Sequence, residues 1–267
     1  MFQSILFLLF CYGGESLVRN KRIVYGHPVS SEAASAVVSL ETSYGNNEVT
    51  LCGGTIIAPR VILTAAHCVY NEQYNAVASE VRVIVSFDRS RAERVIREER
   101  VLIHPEYITV TLLTQDLLQL NSQLGRLPPP NMSILTFNKC YIVGWGKTEE
   151  NVYSNTPQHA NIVEVEETRD DHLKAEIIQG MGEGTQRACF GDSGGPLICE
   201  IRGIPYLVGV NAEIHSDSSL DPSIPLESPE RCSSSRYLQA VDIRKQLPTI
   251  SSLLSPLGLG GSWEDFH

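Results

Sequence analysis

Beyond its first dozen residues the sequence has no apolar run long enough to cross a bilayer as a helix, which takes about 20 residues. Positive charge is also scarce. The chain carries 21 Lys and Arg against 31 Asp and Glu, a formal net charge of −10. Nucleic acid is therefore excluded as a partner, because neutralising phosphates requires clustered cations. Beyond the leader and the short Arg19–Arg22 stretch, the one basic cluster, Arg89 to Arg100, is interleaved with Asp88, Glu93, Glu98 and Glu99 and reads as a solvated mixed-charge loop and strand. Paired CxxC spacings are missing, which argues against zinc. Asp88 and Glu93 make a weak cage for calcium, an ion that takes six to eight oxygens. No metal and no cofactor is expected. Internal repeats and low-complexity tracts are absent as well.

What is present begins with an apolar run, Phe2 to Cys11, broken only by Gln3 and Ser4. Too short to span a membrane, it suits the h-region of a signal peptide, with small residues at Gly14 and Ser16 placing cleavage after Ser16. The alternatives are a buried N-terminal strand or a membrane anchor. A leader over 1–16 implies a secreted, extracellular protein, free of the membrane once the leader is removed. Cys11 lies inside it, leaving Cys52, Cys68, Cys140, Cys189, Cys199 and Cys232. An even set in an exported chain points to disulfides, but six cysteines allow 15 pairings and the sequence does not choose among them.

Short runs rich in β-branched and aliphatic residues recur between Gly, Pro and Asn turns. Ala36–Leu40, Gly54–Ile57, Val61–Thr64, Val81–Phe87, Arg100–Ile103, Lys139–Val143, Pro196–Cys199 and Tyr206–Asn211 are the clearest. Many short strands of this kind predict an all-β barrel or sandwich. Leu127-Pro128-Pro129-Pro130 cannot be a central strand and reads as a linker between two β halves. Ile243–Leu247 reads as a short helix stopped by Pro248. The Gly-containing tail from Leu257 reads as disordered.

Three local patterns carry chemistry: Leu63-Thr64-Ala65-Ala66-His67-Cys68 after Cys52-Gly53-Gly54, Asp116 in Thr114-Gln115-Asp116-Leu117-Leu118, and Gly191-Asp192-Ser193-Gly194-Gly195-Pro196. A serine hydroxyl is a poor nucleophile near neutral pH. It needs a base within hydrogen-bond reach, and the base needs a carboxylate to fix its tautomer and stabilise its cation. Glycines beside the serine let backbone N–H groups converge on a developing oxyanion. A lone His beside Cys, or an Asp between leucines, is commonly structural. The Gly-Asp-Ser-Gly-Gly-Pro run is far more specific.

In this order the three patterns resemble the chymotrypsin-like serine proteases, over roughly Ile23 to Leu247. Ile23-Val24-Tyr25-Gly26, Val38-Ser39-Leu40, His104-Pro105-Glu106-Tyr107 and Gly144-Trp145-Gly146 extend the likeness. The resemblance implies two Greek-key six-stranded β-barrels, about 23–127 and 128–247, with a short C-terminal helix and a tail over 248–267. It implies His67 as general base, Asp116 as its orienting carboxylate, Ser193 as nucleophile, and the N–H groups of Gly191 and Ser193 as the oxyanion hole. It implies the pairs Cys52–Cys68, Cys140–Cys199 and Cys189–Cys232. Cleavage after Arg22 would remove a propeptide, 17–22, and free an Ile23 ammonium to pair with Asp192. Arg19-Asn20-Lys21-Arg22 suits a proprotein convertase, although it also reads as a plain exposed basic stretch. Protein or peptide substrates and a monomeric state follow from the same comparison.

The departures cluster at substrate binding. Ala212, Glu213 and Ile214 stand where the family usually has Ser-Trp-Gly, and Arg187 occupies the expected pocket floor. Ser235 and Arg236 replace a Gly-containing wall, and a bridge common just before the pocket is missing. A long insertion with Asp217, Asp221, Glu227 and Glu230 precedes Cys232. An Arg floor disfavours Lys and Arg before the cut and favours Asp or Glu; if Arg187 turns outward, small apolar residues win. His67 is expected to lose activity below about pH 6.5 to 7, its ordinary protonation range. Asn131-Met132-Ser133 is a glycosylation sequon. Two readings stand: an endopeptidase of unusual specificity, and a weak or inactive relative that binds a partner through its cleft.

Overall fold

A computed structural model describes residues 23–45, 49–72, 75–91, 95–104, 107–113, 115–117, 125–129, 131–216, 219–225 and 228–255. The leader, Arg22 and the tail from residue 256 lie outside the described residues. In order the strands are β1 (His27–Pro28), β2 (Val37–Ser43), β3 (Val49–Ala58), β4 (Val61–Ala65), β5 (Tyr70–Asn71), β6 (Ala76–Val77), β7 (Glu80–Ile84), β8 (Val95–Ile103) and β9 (Ile108–Leu113). They continue with β10 (Lys139–Gly144), β11 (Gln158–Asp170), β12 (Ala175–Gly182), β13 (Pro196–Ile201), β14 (Ile204–Ser216) and β15 (Ser235–Asp242). Helices α1 (Pro229–Ser233) and α2 (Ile243–Leu254) flank β15.

The first half closes into a barrel in the order β2-β3-β4-β9-β8-β7. Its strands are dense in Val, Ile and Thr, which fit a pleated, half-buried surface, and Val38, Leu40, Ile56, Leu63 and Val110 are fully buried inside it. In the second half the order is β1-β11-β10-β13-β14-β15-β12, and pairing of β11 with β12 closes the ring. The starting segment crosses over, since β1 pairs with β11 of the second barrel. One apolar cluster runs from the first barrel through Leu207, Val210 and Val241 to Ile243 and Leu247 of α2, so the halves share a core.

The helix outlasts the expected stop at Pro248. It runs to Leu254 with Ile243, Leu247, Ile250 and Leu254 buried on one face. A helix-interior proline costs about 3 kcal/mol, whereas each buried aliphatic side chain returns about 1.5 to 3 kcal/mol. Packing wins. Asp242 caps the helix, accepting from Arg244 N–H. The buried Arg244 guanidinium bonds both Asp242 oxygens, Glu167 and the Met132 carbonyl, tying helix, β11 and linker together.

A further feature differs from the sequence reading. Gln158–Gly182 is an extended hairpin of β11 and β12, which the Glu-rich sequence concealed because both faces of its outer part touch solvent. At its tip Asp170 Oδ1 accepts from His172 and Leu173 N–H, and Leu173 plugs into the shared core. Among the described residues no helix is long and apolar enough to cross a membrane.

Candidate active site

Disulfides join Cys52 to Cys68, Cys140 to Cys199 and Cys189 to Cys232. Each ties elements that bear on one cleft between the barrels. Cys68 ends the single 3₁₀ turn Ala66–Cys68 that follows β4 and carries His67, and its bridge fastens that turn to β3. Cys189 opens the Ser193 loop, and its bridge reaches α1.

The Ser193 loop, between β12 and β13, is held from both barrels. Gly53 N–H donates to the Ser193 carbonyl at 2.7 Å, and Gly194 N–H donates to the Asn211 carbonyl at 2.7 Å. Contact is backbone to backbone here. A Cβ on Gly53 would lie 2.8 Å from Gly195 Cα, and one on Gly194, whose φ is +76°, would lie 2.2 Å from Thr64 Oγ1. Any side chain would force the barrels apart. Among the described residues the N–H groups of Gly191 and Ser193 have no hydrogen-bond partner. The buried Asp192 carboxylate accepts from Gly146 N–H at 2.9 Å and Cys189 N–H at 3.0 Å. Burial pushes its carboxyl up to about 7, with the two N–H donors pulling the other way. Nearby, Ile23 is fully buried against Ala188 and Leu197, and Val24 bridges Arg187.

His67 and Ser193 line the same cleft, about 570 Å³ in volume. The group found at His67 Nδ1, where the Asp116 carboxylate was expected, is a phenol. Nδ1 of His67 lies 2.8 Å from the Tyr107 hydroxyl, the two rings tilted at 45°. Asp116 falls beyond the end of β9. Burial alone pushes the imidazole down to about 4, with no carboxylate opposing it. The reason is strand register. Ile108–Leu113 pairs with Val61–Ala65, so Ile108 stands opposite Ala65 and Tyr107, just ahead, meets the turn that carries His67. Ala66 N–H donates to the Tyr107 carbonyl at 3.0 Å. Tyr107 holds φ at +63°, a conformation rare for a bulky side chain and one that surrounding contacts must enforce. Burial, then the charges of Glu213 and Glu72, raise its phenol above the usual range, so it stays neutral at physiological pH. The sequence signal for this placement was the six-residue alternating run that starts directly after Tyr107.

The pocket residues divide. Ala212, Glu213 and Ile214 line the cleft, together with Ala188, Phe190, His215, Arg231 and Leu238, which sequence reasoning missed. Arg187 and Ser235 do not. The Arg187 guanidinium turns away to donate to the carbonyls of Ser235, Gly182, Gly184 and Gln186. Five N–H donors on a planar fork are better satisfied by this ring of carbonyls than by an apolar pocket. Ser235 is buried and supplies one of those carbonyls. Arg231 reaches the cleft from α1, but its guanidinium is committed to the Ile224 and Pro225 carbonyls. Cys52, His67 and Cys68 cluster closely enough to suggest a metal, yet both sulfurs are spent in a disulfide.

A double barrel with a serine loop and a histidine turn facing across the seam defines the chymotrypsin-like class. The Trypsin family model matches residues 23–225, and the chain belongs to this family of serine proteases. It is 30% identical to the bovine (Bos taurus) protein "Chymotrypsin-like elastase family member 1" across 74% of this chain and 80% of that one. Against the human (Homo sapiens) protein of the same name it is 29% identical, covering 74% and 83%. Mouse (Mus musculus) "Serine protease 28" is 29% identical over 58% of this chain and 65% of its own length. The solved structure of HL collagenase superposes with a TM-score of 0.66 at 21% identity, over 87% of this chain and 99% of that one; at that identity it speaks to the fold alone.

Proposed function

We propose that this chain is a secreted serine endopeptidase, made as a zymogen, cut after Arg22 by a proprotein convertase and active as a monomer. Its acyl transfer runs on Ser193 and His67 without a carboxylate. The observation that supports it is the shared cleft: Ser193 on a loop braced from both barrels, His67 opposite, and two N–H groups with no partner among the described residues. Ser193 Oγ attacks the scissile carbonyl, His67 Nε2 takes the proton and passes it to the leaving amine, and Gly191 and Ser193 N–H stabilise the oxyanion. Beyond Asn211, whose N–H and carbonyl are bonded to Gly195 and Gly194, β14 has one edge with no strand partner among the described residues, since β13 pairs only as far as Val210. An extended polypeptide can lie along that edge.

Tyr107 sets the rate. Among the described residues the phenol has one hydrogen-bond partner, His67 Nδ1. Donating its proton there leaves hydrogen on Nε2, the tautomer that cannot accept the Ser193 proton. In the productive tautomer Nδ1–H donates to the phenol oxygen, and the imidazolium gains no counter-charge. Replacing the carboxylate of such a triad by an uncharged group in a relative lowers turnover about 10⁴-fold. A slow enzyme follows.

Activation uses Asp192. An Ile23 ammonium docking beside this buried carboxyl would favour its charged form and hold the oxyanion loop. With Arg187 turned away, the apolar cleft floor of Ala188, Phe190 and Leu238 favours small apolar residues before the cut. The exposed Asn131 is a site for a glycan. The neutral Tyr107 phenol also favours a second reading, a cleft that binds polypeptide without turnover. Labelling of the cut protein with a small fluorophosphonate separates them. Slow labelling that Ser193→Ala abolishes supports the enzyme, and absence of labelling over hours leaves the binding protein.

A further inference from the structure

Glu213 is a carboxylate inside the cleft that accepts no hydrogen bond among the described residues. It sits on β14 beside the unpaired edge, and its side chain is 30% exposed. The nearest cationic candidates are imidazoles: Nε2 of His172, from the hairpin tip, is 3.5 Å from Oε1, and Nε2 of His215 is 3.8 Å from Oε2. Neither makes a hydrogen bond to it. His215 Nε2 is engaged with Gln239 Oε1 at 2.8 Å, and Gln239 Nε2 donates to Asp170 Oδ2. That chain of contacts, with Tyr237 stacked on His215 at 4.9 Å, fixes the walls around Glu213 without occupying it. Among the described residues no Lys or Arg comes within 4 Å of Glu213, and Arg231, the one guanidinium lining the cleft, is spent on carbonyls. The negative charge acts on the reacting end of the cleft, since Glu213 raises the Tyr107 phenol.

We infer that Glu213 is an anchor for a Lys or Arg side chain of the polypeptide in the cleft, within a few residues of the bond offered to Ser193. The inference rests on the reading that the cleft holds an extended polypeptide. The apolar floor takes the residue at the bond. The cation belongs at a neighbouring position, because successive residues of an extended chain point to opposite sides and advance about 3.3 Å each. An exposed ion pair of this kind is worth up to about fivefold in affinity and weakens with salt.

The test uses the cut Ser193→Ala protein, so that binding is read without hydrolysis. Fluorescein-labelled octapeptides in an alanine-serine background carry Lys, norleucine or Glu at each position in turn. The expected result is one position where Lys binds about two- to fivefold more tightly than norleucine, and Glu more weakly. That preference should shrink between about 0.05 and 0.5 M NaCl, vanish in Glu213→Gln and invert in Glu213→Lys. Norleucine peptides should bind all three proteins alike. A Lys preference that survives Glu213→Gln, or no charge preference among peptides that do bind, overturns the inference alone. Failure of every peptide to bind overturns it together with the polypeptide-cleft reading.

Discussion

The two sides of the cleft differ in how far they keep the chemistry that the fold supports. On the second-barrel side the loop from Gly191 to Gly195 is intact, with its glycines packed to backbone and Asp192 buried beneath. On the first-barrel side the histidine is in place but its support is a phenol. Nucleophile and oxyanion loop depend on backbone geometry that tolerates no side chain, so they survive or fail together. Support for the histidine depends on one side chain at one register position, and there a substitution leaves the fold whole.

The widest gap expected between the two sides comes from Ser193→Ala. Labelling and peptide hydrolysis should vanish while the unfolding midpoint stays within about 0.5 kcal/mol of the parent, as for a substitution away from the core. Residual turnover near the parent rate would identify another nucleophile.

Next in size is Tyr107→Asp. A carboxylate on Nδ1 should select the productive tautomer and stabilise the imidazolium, raising the labelling rate by about 10² or more out of the 10⁴ a carboxylate can supply. The pH profile should move with it. With His67 at about 4, the imidazole is a free base down to about pH 4 to 5, lower than the range expected from an ordinary histidine. Tyr107→Asp should lift that acid limb toward pH 7, because an adjacent negative charge favours the imidazolium. Asp116→Asn should leave both rate and profile near the parent. A collapse of labelling in Asp116→Asn would return the carboxylate role to Asp116.

These expectations also show which parts of the molecule were legible in the sequence. Gly53, Gly194 and Ser193 were readable because close backbone approach admits one residue type. The barrel strands were readable as short β-branched and aliphatic runs, as in Val61–Ala65, which is buried along its whole length. Tyr107 was not, since the His104-to-Tyr107 run looks like a loop and the register that places it depends on the long-range pairing of β9 with β4. The hairpin of β11 and β12 escaped because solvent-exposed Glu residues break the alternation. The reach of α2 was available in the spacing of Ile243, Leu247, Ile250 and Leu254, but Pro248 masked it.

A smaller effect is expected at Asp192, visible as a dependence on pH. Its carboxyl in the uncut chain is raised from 3.8 to about 7, so the folded state holds a proton more tightly than the unfolded one. The associated stability is fully present below about pH 4 and is lost as pH rises through 7. His67 opposes it, since a lowered imidazole adds stability as pH rises from about 4 to 6.5. Comparing the parent with Asp192→Asn isolates the carboxyl. In urea, Asn should gain on the parent between pH 5 and pH 8 in the uncut chain. After cleavage the gain should disappear if the Ile23 ammonium pairs with Asp192. An equal difference at both pH values in the uncut protein would argue against a raised carboxyl.

Least change in turnover is expected at Arg187, and the reason is where its guanidinium points. At the floor of the cleft it would repel basic side chains, and Arg187→Asp would admit them. Turned onto the carbonyls of Gly182, Gly184, Gln186 and Ser235, it closes the loop ahead of Ala188 from behind and meets no substrate. Arg187→Ala leaves those carbonyls without a charged donor, and because the site is partly open water replaces some of what is lost. The cost should be about 1 to 3 kcal/mol in unfolding free energy. Preference at the residue before the cut should stay the same in Arg187→Ala and Arg187→Asp, measured with a peptide library on the cut protein. A gain of Lys or Arg cleavage in Arg187→Asp would put the side chain back at the floor and move the source of specificity from the apolar wall of Ala188, Phe190 and Leu238 to position 187.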